Sequence, residues 1–231
     1  MEKQQMDKDV AKPRPAATCI VVVAGGDGLE ILLTQRSQNL TSFAGMWVFP
    51  GGVFEDTDYG RAISDDLEHV GKQAAAREVE EETAVQLDAG TLELFSHWTT
   101  PSQLKKRWST WFYLALLDTR PTVVIDPSEV AASCWLTVND ALQLQANGEL
   151  PMSPPTLITL NQLADFASLD AIRVFLESHQ VDFVQPRAIP SDEGNWIVQP
   201  SDVAFLNGDL SADGPRDRLL ISKGGLSYLK T

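Results

Sequence analysis

The sequence predicts an α/β fold, and three stretches of its first half support that prediction. The β-branched run from Thr18 to Val23 is typical of a buried strand. The glycine-rich segment after it, Gly25 to Gly28, indicates a hairpin turn into a return strand, Leu29 to Gln35. Residues 74–85 instead place small and apolar side chains at helical spacing, which gives a helix with one face suited to packing on a sheet.

The length of the chain sets its expected division. A chain of 231 residues fits one large domain, or a core with an extension. We expect a disordered arm at residues 1–14, a core at 15–150 and an extension at 151–231 that packs on the core. The extension is expected to be helical at about 156–167 and 169–179 and irregular afterwards, with short strands and turns. Helices flanking a core in this way pack on it or form a homodimer contact.

The net charge restricts the partners. A formal charge of -14 and a pI near 4.5 repel nucleic acid and anionic membranes at long range. The two cysteines, Cys19 and Cys134, stand among apolar residues and are expected to be buried thiols rather than a disulfide. The N-terminal residues are charged and lack a signal sequence's apolar segment, and no apolar run is long enough to span a bilayer. These features favour a soluble, cytoplasmic protein.

An acidic face on the predicted helix is the first candidate site. Glu78, Glu81 and Glu82 fall within about 100° of one another around a helix axis, whereas Glu80 points to the opposite side. Like charges at this spacing repel by about 0.2–0.5 kcal/mol per pair, so a divalent cation would relieve the strain. Mg²⁺ is bound in this way, through carboxylates together with substrate phosphates. The alternative is a solvated acidic surface without a ligand.

The order of residues around these carboxylates resembles the Nudix box, G-x5-E-x7-R-E-U-x-E-E-x-G-U, where U is a bulky apolar residue. The matching positions are Gly52, Arg77, Glu78, Val79, Glu81, Glu82 and Val85. The chain departs from the box at three points. Asp58 stands at the first acidic position, an insertion leaves eighteen residues between it and Arg77, and Ala84 replaces the late glycine.

This resemblance implies an α/β/α sandwich with a mixed sheet, in which the box forms a loop, a helix and a second loop. It also implies hydrolysis of a nucleoside diphosphate linked to another group. Mg²⁺ or Mn²⁺ would be held by Glu78, Glu81, Glu82 and the carbonyl group of Gly52. Arg77 would hold one of these carboxylates in place.

The segment before the box is similar to a signature of Nudix coenzyme A diphosphatases. Residues 32–52 follow the pattern L-L-T-x-R-S-x-x-L-x-x-H-x-G-x-V-x-F-P-G-G, except that Phe43 stands at the His position and Trp47 at the Val position. Arg36 in this segment is a candidate for binding a substrate phosphate, because guanidinium groups bind phosphate bidentately. A structural ion pair is the alternative for Arg36.

Two later segments add candidates. The triplet Lys105, Lys106 and Arg107 precedes an aromatic strand, and is either a basic rim that attracts phosphates or an ordinary charged loop. This arrangement, like the insertion, is similar to the peroxisomal branch of the coenzyme A diphosphatases. Glu129 lies in a late loop, where relatives carry a metal contact or a general base, and otherwise is a solvated acid.

Three functions remain open from the sequence. The first is hydrolysis of coenzyme A or its thioesters to 3′,5′-ADP and (acyl-)phosphopantetheine. The second keeps the reaction but has ADP-ribose or NADH as substrate, because Phe43 and the long insertion depart from the patterns. The third is a nucleotide-binding module without turnover, which the retained glutamates disfavour. Glu81 and Glu129 are the candidates for the general base.

Overall fold

A mixed β-sheet with helices on both faces forms the centre of the molecule in the computed structural model, which describes residues 11–40, 42–64 and 66–231. The strands are β1 (Arg14–Gly25), β2 (Gly28–Arg36), β3 (Trp47–Val48), β4 (Gly51–Val53), β5 (Glu93–Thr99), β6 (Trp108–Leu117), β7 (Val130–Thr137), β8 (Asp182–Val184), β9 (Arg187–Ser191), β10 (Gly194–Val198), β11 (Asp217–Ser222) and β12 (Gly225–Lys230). The α-helices are α1 (Asp56–Arg61), α2 (Leu67–Thr83), α3 (Val138–Ala146), α4 (Pro154–Leu163) and α5 (Leu169–Ser178), and a 3-10 turn covers Ala89–Thr91.

Strand β1 organises the central sheet. Its middle is fully apolar and buried, as the β-branched run predicts. One edge pairs in parallel with β6 over ten residues, whereas the other edge is shared by β4 and β2. The sheet order is β3-β2-β1-β6-β5-β8, with β7 added along β2. The predicted hairpin is present, because β1 and β2 pair antiparallel up to the turn.

Gly51 and Gly52, an adjacent glycine pair that the sequence predicts to be a turn, form strand β4 instead. Gly51 pairs with Thr18 and Gly52 with Ala17 of β1, while the Thr18 hydroxyl donates to the carbonyl oxygen of Pro50 at 2.7 Å. A side chain at Gly51 would bring its Cβ to 2.5 Å from the carbonyl oxygen of Ala17. The bend falls before the glycines, and β4 carries them alongside β1.

Helix α2 carries the acidic face and covers one side of the sheet. Asp66 caps its first turn by accepting from the backbone N–H of Glu68 at 3.2 Å. Its apolar residues pack on β1 and β6, in a cluster that includes Val79 and Tyr113. The helix begins inside the insertion and ends at Thr83. The next residue, Ala84, has a left-handed backbone conformation with φ 56°.

The other side of the sheet is covered by α3, α4 and α5. Thr137 caps α3 by accepting from the backbone N–H of Asp140 at 3.0 Å, at the position that the sequence indicates. Helices α4 and α5 lie near the two predicted segments. None of the helices in the described ranges has both the length and the apolar character needed to span a bilayer.

The end of the chain contains the short strands and turns that the sequence predicts, but the strands are organised into a sheet. Strands β9 to β12 form this second, antiparallel sheet, where an irregular extension was expected. Its Ile197 and Leu219 belong to the same apolar cluster as Leu157 and Leu160 of α4. A buried ion pair, Arg218 with Asp202, fixes the loop between β10 and β11 to this sheet.

The predicted N-terminal arm is only partly covered by the structure. Residues 1–10 lie outside the described ranges. Arg14 is already the first residue of β1, opposite Trp108 of β6, so the arm was predicted to end too late. The parallel pairing with β6, which local sequence does not reveal, extends β1 towards the N-terminus.

Candidate active site

A cleft of about 440 Å³ opens beside the start of β1 and contains most of the predicted site residues. Its floor is formed by β1, β4 and β6, and its sides by α2, the loop after β2, and the first turn of α4. The predicted residues that line it are Arg36, Gly52, Arg77, Glu78, Glu81 and Glu129. Six residues predicted from distant parts of the sequence thus share one cavity.

Arg77 is the centre of the hydrogen bonds in this cleft. One terminal nitrogen, Nη1, donates to Glu78 at 2.9 Å and to Glu81 at 2.8 Å. The rest of the guanidinium group binds Asp58 through two bonds, of 2.9 and 3.0 Å, and the carbonyl oxygen of Val53 at 3.0 Å. Burial alone would lower the pKa of Arg77, but Asp58 and Glu78 outweigh it and raise the pKa above its ordinary value. Arg77 therefore stays charged and fixes two carboxylates beside β4.

Asp58 reaches this cluster because the insertion folds back as helix α1. Its carboxylate is fully buried and also accepts from the backbone N–H of Glu55 at 2.8 Å, which caps the helix. Asp58 thus contacts Arg77 directly, despite the eighteen-residue spacer in sequence.

Gly52 lies close to the acidic face of α2. A Cβ atom at this position would overlap the carboxylate group of Glu78. A glycine here allows the backbone of β4 and the Glu78 side chain to lie side by side. The backbone carbonyl groups of β4 therefore lie near the carboxylates of α2. Such a combination of oxygen atoms is what a hard divalent cation requires.

Glu82 lies behind the cleft and is almost fully buried. Thr34 of β2 donates its hydroxyl to the Glu82 carboxylate at 3.3 Å. Burial, together with the charge of Glu78, raises the pKa of Glu82 to about 8. Burial likewise raises the pKa of Glu78 to about 7, against the opposing effect of Arg77. Both buried carboxylates thus bind protons near neutral pH, and a cation bound beside them would lower both pKa values.

These residues fit a divalent cation in chemical type. The donors are carboxylate oxygens that are buried, close enough to repel one another and adjacent to a strand carbonyl, which suits Mg²⁺ or Mn²⁺. In the described part of the chain, however, no three acidic, histidine or cysteine side chains already surround a common point. Glu78 and Glu81 turn towards Arg77 and Glu82 towards Thr34, so their oxygens would have to rotate to converge on an ion.

The wall of the cleft formed at the end of β2 supplies a positive charge. The Nε atom of Arg36 donates to the carbonyl oxygen of Ser42 at 3.2 Å, and none of the ion pairs among the described residues involves Arg36. Its charge acts on Glu82, lowering the pKa of that group against the larger effect of burial. Glu129 is exposed at the same wall, where its backbone carbonyl accepts from the N–H of Ser37 at 2.8 Å.

The predicted basic rim does not reach the cleft. The Arg107 side chain is buried and donates to the carbonyl oxygens of Thr100 at 3.1 Å and Ala11 at 2.9 Å. It fastens the loop before β6 to the start of the chain, and this placement does not support a role in substrate binding. Lys106 is exposed but lies outside the residues that line the cleft.

Several residues of the cleft were missed by sequence reasoning. Thr34 supports Glu82, and Phe43 and Trp108 line the mouth. Ser153 and Thr156, at the start of α4, share a hydrogen bond of 2.8 Å beside the same cavity. The sequence gives no local signal that these residues share a cleft, because the strands, loop and helix that carry them are far apart in the chain.

Comparison with known proteins agrees with this geometry. The chicken (Gallus gallus) protein "Acyl-coenzyme A diphosphatase NUDT19" is 32% identical over 126 residues, which is 51% of this chain and 33% of that protein. The Escherichia coli K12 protein "Uncharacterized Nudix hydrolase NudL" is 39% identical over 83 residues, 36% of this chain and 38% of that protein. The similar region therefore spans only about a third of the length of these curated relatives.

Solved structures share the fold. A NUDIX hydrolase from Alicyclobacillus acidocaldarius superposes with a TM-score of 0.65 at 21% identity, covering 73% of this chain and 97% of that one. The NUDIX domain of Shewanella oneidensis NrtR, solved with ADP ribose, superposes with a TM-score of 0.52 at 22% identity, covering 71% and 97%. Residues 12–155, more than half of the 231 residues, match the profile of the NUDIX domain. The chain therefore belongs to the NUDIX family.

Proposed function

We propose that this chain is a metal-dependent hydrolase that cuts the diphosphate linkage of coenzyme A or acyl-coenzyme A. The observation that carries the proposal is the arrangement around Arg77. This side chain holds Glu78 and Glu81 next to β4, inside a cleft that Arg36 also lines. Carboxylates and a cationic side chain that line one cavity suit a substrate that is itself anionic and carried with a divalent ion.

The chain's own residues would divide the work as follows. Glu78, Glu81, Glu82 and the carbonyl group of Gly52 would hold Mg²⁺ or Mn²⁺, and Arg77 would orient two of these carboxylates. When bound, the ion neutralises charge on the diphosphate and lowers the pKa of a water molecule. Arg36 would bind a phosphate group in the cleft, since among the described residues its guanidinium group donates through Nε alone, to the carbonyl oxygen of Ser42.

The general base would be Glu129 or Glu81. Both line the cleft and both are exposed to solvent, so a water molecule can reach either carboxylate. Glu81 is hydrogen-bonded to Arg77, whereas Glu129 makes no side-chain hydrogen bond among the described residues. A base must accept a proton during the reaction, which favours the carboxylate that is not already paired with a guanidinium group.

Coenzyme A is favoured as the substrate by two similarities. The segment 32–52 resembles the coenzyme A diphosphatase signature, and its Arg36 lines the cleft. The curated relatives from chicken and human are both described as acyl-coenzyme A diphosphatases, at 32% and 27% identity. ADP-ribose and NADH contain the same kind of linkage and are the competing substrates.

The test is a substrate panel with product identification. The protein is incubated with coenzyme A, acetyl-coenzyme A, ADP-ribose, NADH and diadenosine polyphosphates, each with Mg²⁺ or Mn²⁺. We expect 3′,5′-ADP and phosphopantetheine from coenzyme A, at the highest kcat/KM of the panel. Cleavage of ADP-ribose or NADH without cleavage of coenzyme A would reject the proposed substrate, and binding without any cleavage would indicate a non-catalytic module.

Matched variants test the metal role. Glu82→Gln removes a buried carboxylate, whereas Glu80→Gln changes an exposed residue on the opposite side of the same helix. We expect Glu82→Gln to lower kcat by at least about 100-fold and Glu80→Gln to leave it within about twofold. Equal activity of the two variants would contradict a role for Glu82 in holding the ion.

A further inference from the structure

Two aromatic rings stand together at the mouth of the cleft. Phe43, in the loop after β2, and Trp108, the first residue of β6, both line the cavity. Their ring centroids lie 6.3 Å apart, with the ring planes inclined at 47°. Phe43 leaves 42% of its surface exposed. Large apolar side chains that stay exposed at a cavity mark surfaces that bind something.

The backbone of Phe43 supports this view. Its φ angle is 55°, a left-handed conformation that residues other than glycine, asparagine and aspartate seldom adopt. The turn is held by a hydrogen bond from the N–H of Met46 to the carbonyl oxygen of Phe43, at 3.0 Å. An unfavourable backbone conformation that carries an exposed ring to a cavity is a feature typical of ligand sites.

The second ring is held by the sheet. Trp108 pairs with Arg14 of β1, and its backbone N–H donates to the hydroxyl group of Thr100 at 3.1 Å. One ring of the pair is therefore fixed on a strand, and the other extends from the loop that follows Arg36. The Arg36 guanidinium group contacts that loop directly, at Ser42, next to Phe43 in sequence. The position of Phe43 is thus linked through Ser42 to that of Arg36, the candidate for binding phosphate.

We propose that Phe43 and Trp108, here called the aromatic platform, stack on the purine base of the substrate. The inference rests on the proposed function, in that the cleft must take a nucleotide whose diphosphate lies between Arg36 and the α2 carboxylates. A base offers a flat π-face, and stacking of a base on aromatic side chains strengthens binding by roughly 5-fold to 150-fold. An aliphatic chain would gain no such specific face-to-face contact from two tilted rings.

The test measures binding rather than turnover. Calorimetric titrations with Mg²⁺ compare AMP with ribose 5-phosphate, which keeps the sugar and phosphate but lacks the base. The ratio of the two dissociation constants reports the contribution of the base alone. Phe43→Gly removes the ring at a backbone angle that glycine adopts freely, Phe43→Tyr keeps a ring, and Trp108→Leu removes the second ring while keeping apolar bulk. Phe183→Ala is the control, because this phenylalanine on β8 is 72% exposed and lies outside the cleft.

We expect wild type, Phe43→Tyr and Phe183→Ala to bind AMP at least about tenfold more tightly than ribose 5-phosphate. In Phe43→Gly and in Trp108→Leu this ratio should fall by about fivefold or more, with ribose 5-phosphate binding unchanged. A ratio that survives both ring removals overturns the proposal. So does a selective loss of affinity for 4′-phosphopantetheine, which would assign the rings to the other half of coenzyme A. If the ratio responds as expected but coenzyme A is not hydrolysed, the platform stands and the proposed function fails.

Discussion

A side chain added at either of the two adjacent glycines in β4 would meet different neighbours, so the two substitutions should have different effects. A Cβ at Gly52 would overlap the end of the Glu78 side chain, which can swing aside, whereas a Cβ at Gly51 would meet the backbone of β1. We expect Gly52→Ala to keep its melting temperature and to lose about 10- to 100-fold in Mn²⁺ affinity, because a displaced Glu78 carboxylate can no longer rotate into the proposed ion site.

Gly51→Ala is the matched control for this prediction. Its Cβ would lie 2.5 Å from the Ala17 carbonyl oxygen and 2.7 Å from the Thr18 Cα atom, so the strand pairing itself must shift. We expect a loss of about 1–3 kcal/mol in unfolding free energy. Calorimetric Mn²⁺ titration and chemical denaturation separate the two effects, and equal loss of stability in both variants would contradict this account.

The raised pKa values of Glu78 and Glu82 predict how stability depends on pH. Burial is the main cause of both shifts, from an ordinary value of 4.5 to about 7 for Glu78 and about 8 for Glu82. The folded protein therefore binds more protons than the unfolded chain within this window, and the contribution of these groups to unfolding free energy falls as pH rises from 4.5 to about 8.

Divalent cations should reverse this trend, because they bind the deprotonated carboxylates. We expect the increase in melting temperature caused by Mg²⁺ to be larger at pH 8 than at pH 6. Thermal denaturation at both pH values, with Mg²⁺ or with EDTA, measures the difference. In the double variant Glu78→Gln/Glu82→Gln the Mg²⁺ effect should be small at both pH values, and an unchanged effect would place the ion elsewhere.

At the scale of elements, the insertion between β4 and α2 is tied into the site by one carboxylate. Asp58 of α1 is fully buried and makes two bonds to Arg77, whereas Asp56 of the same helix is exposed. Removing one partner of a buried ion pair costs about 3–5 kcal/mol. We expect Asp58→Ala to lower the unfolding free energy by that amount and to lower kcat as well, because Arg77 would no longer hold Glu78 and Glu81 in place.

Asp56→Ala is the control for the insertion. It removes a carboxylate from the first turn of the same helix, so we expect a change within about 1 kcal/mol and unchanged kcat. Urea denaturation and steady-state kinetics of the two variants make the comparison. A similar loss in both variants would mean that α1 acts through its helix structure rather than through the Asp58–Arg77 contact.

Local patterns carried a large part of the element-level prediction. The hairpin, the acidic face of α2 and the cap of α3 depend on neighbouring residues, so their spacing reveals them. The contacts of Arg107 could not be predicted, because its partner Ala11 lies 96 residues away in sequence. Strand β4 was mistaken for a turn for the same reason, since its identity as a strand depends on pairing with β1.

In the candidate site, too, local sequence predicts some features and distant contacts determine the others. The carboxylates of one helix can be placed from the helical repeat alone, but the burial of Glu82 depends on Thr34 from a strand 48 residues away. The left-handed angle of Phe43 also has no local signal, because glycine or asparagine is the usual residue in that conformation. Sequence therefore identifies the donor atoms, whereas their pKa values and the walls around them come from tertiary contacts.

At the scale of the whole molecule, the C-terminal sheet shares its apolar core with the central sheet. Leu219 of β11 is fully buried in the cluster that contains Leu157 and Leu160, whereas Leu206 in the preceding loop is 89% exposed. We expect Leu219→Ala to cost about 2–5 kcal/mol and Leu206→Ala less than about 0.5 kcal/mol. Differential scanning calorimetry should show one transition that moves down as a whole in Leu219→Ala, and two separate transitions with only one affected would mean that the second sheet folds on its own.

Strand β1 fixes the distance between two parts of the cavity. It pairs with Gly52 on one edge and with Trp108 of β6 on the other, so the proposed ion site and one ring of the aromatic platform are held by the same strand. Neither part can move without breaking the backbone hydrogen bonds of the sheet. A molecule with a different distance between its flat heterocycle and its scissile anhydride would lose its contact with one of these two parts. The cavity would then select ligands by length without a conformational change.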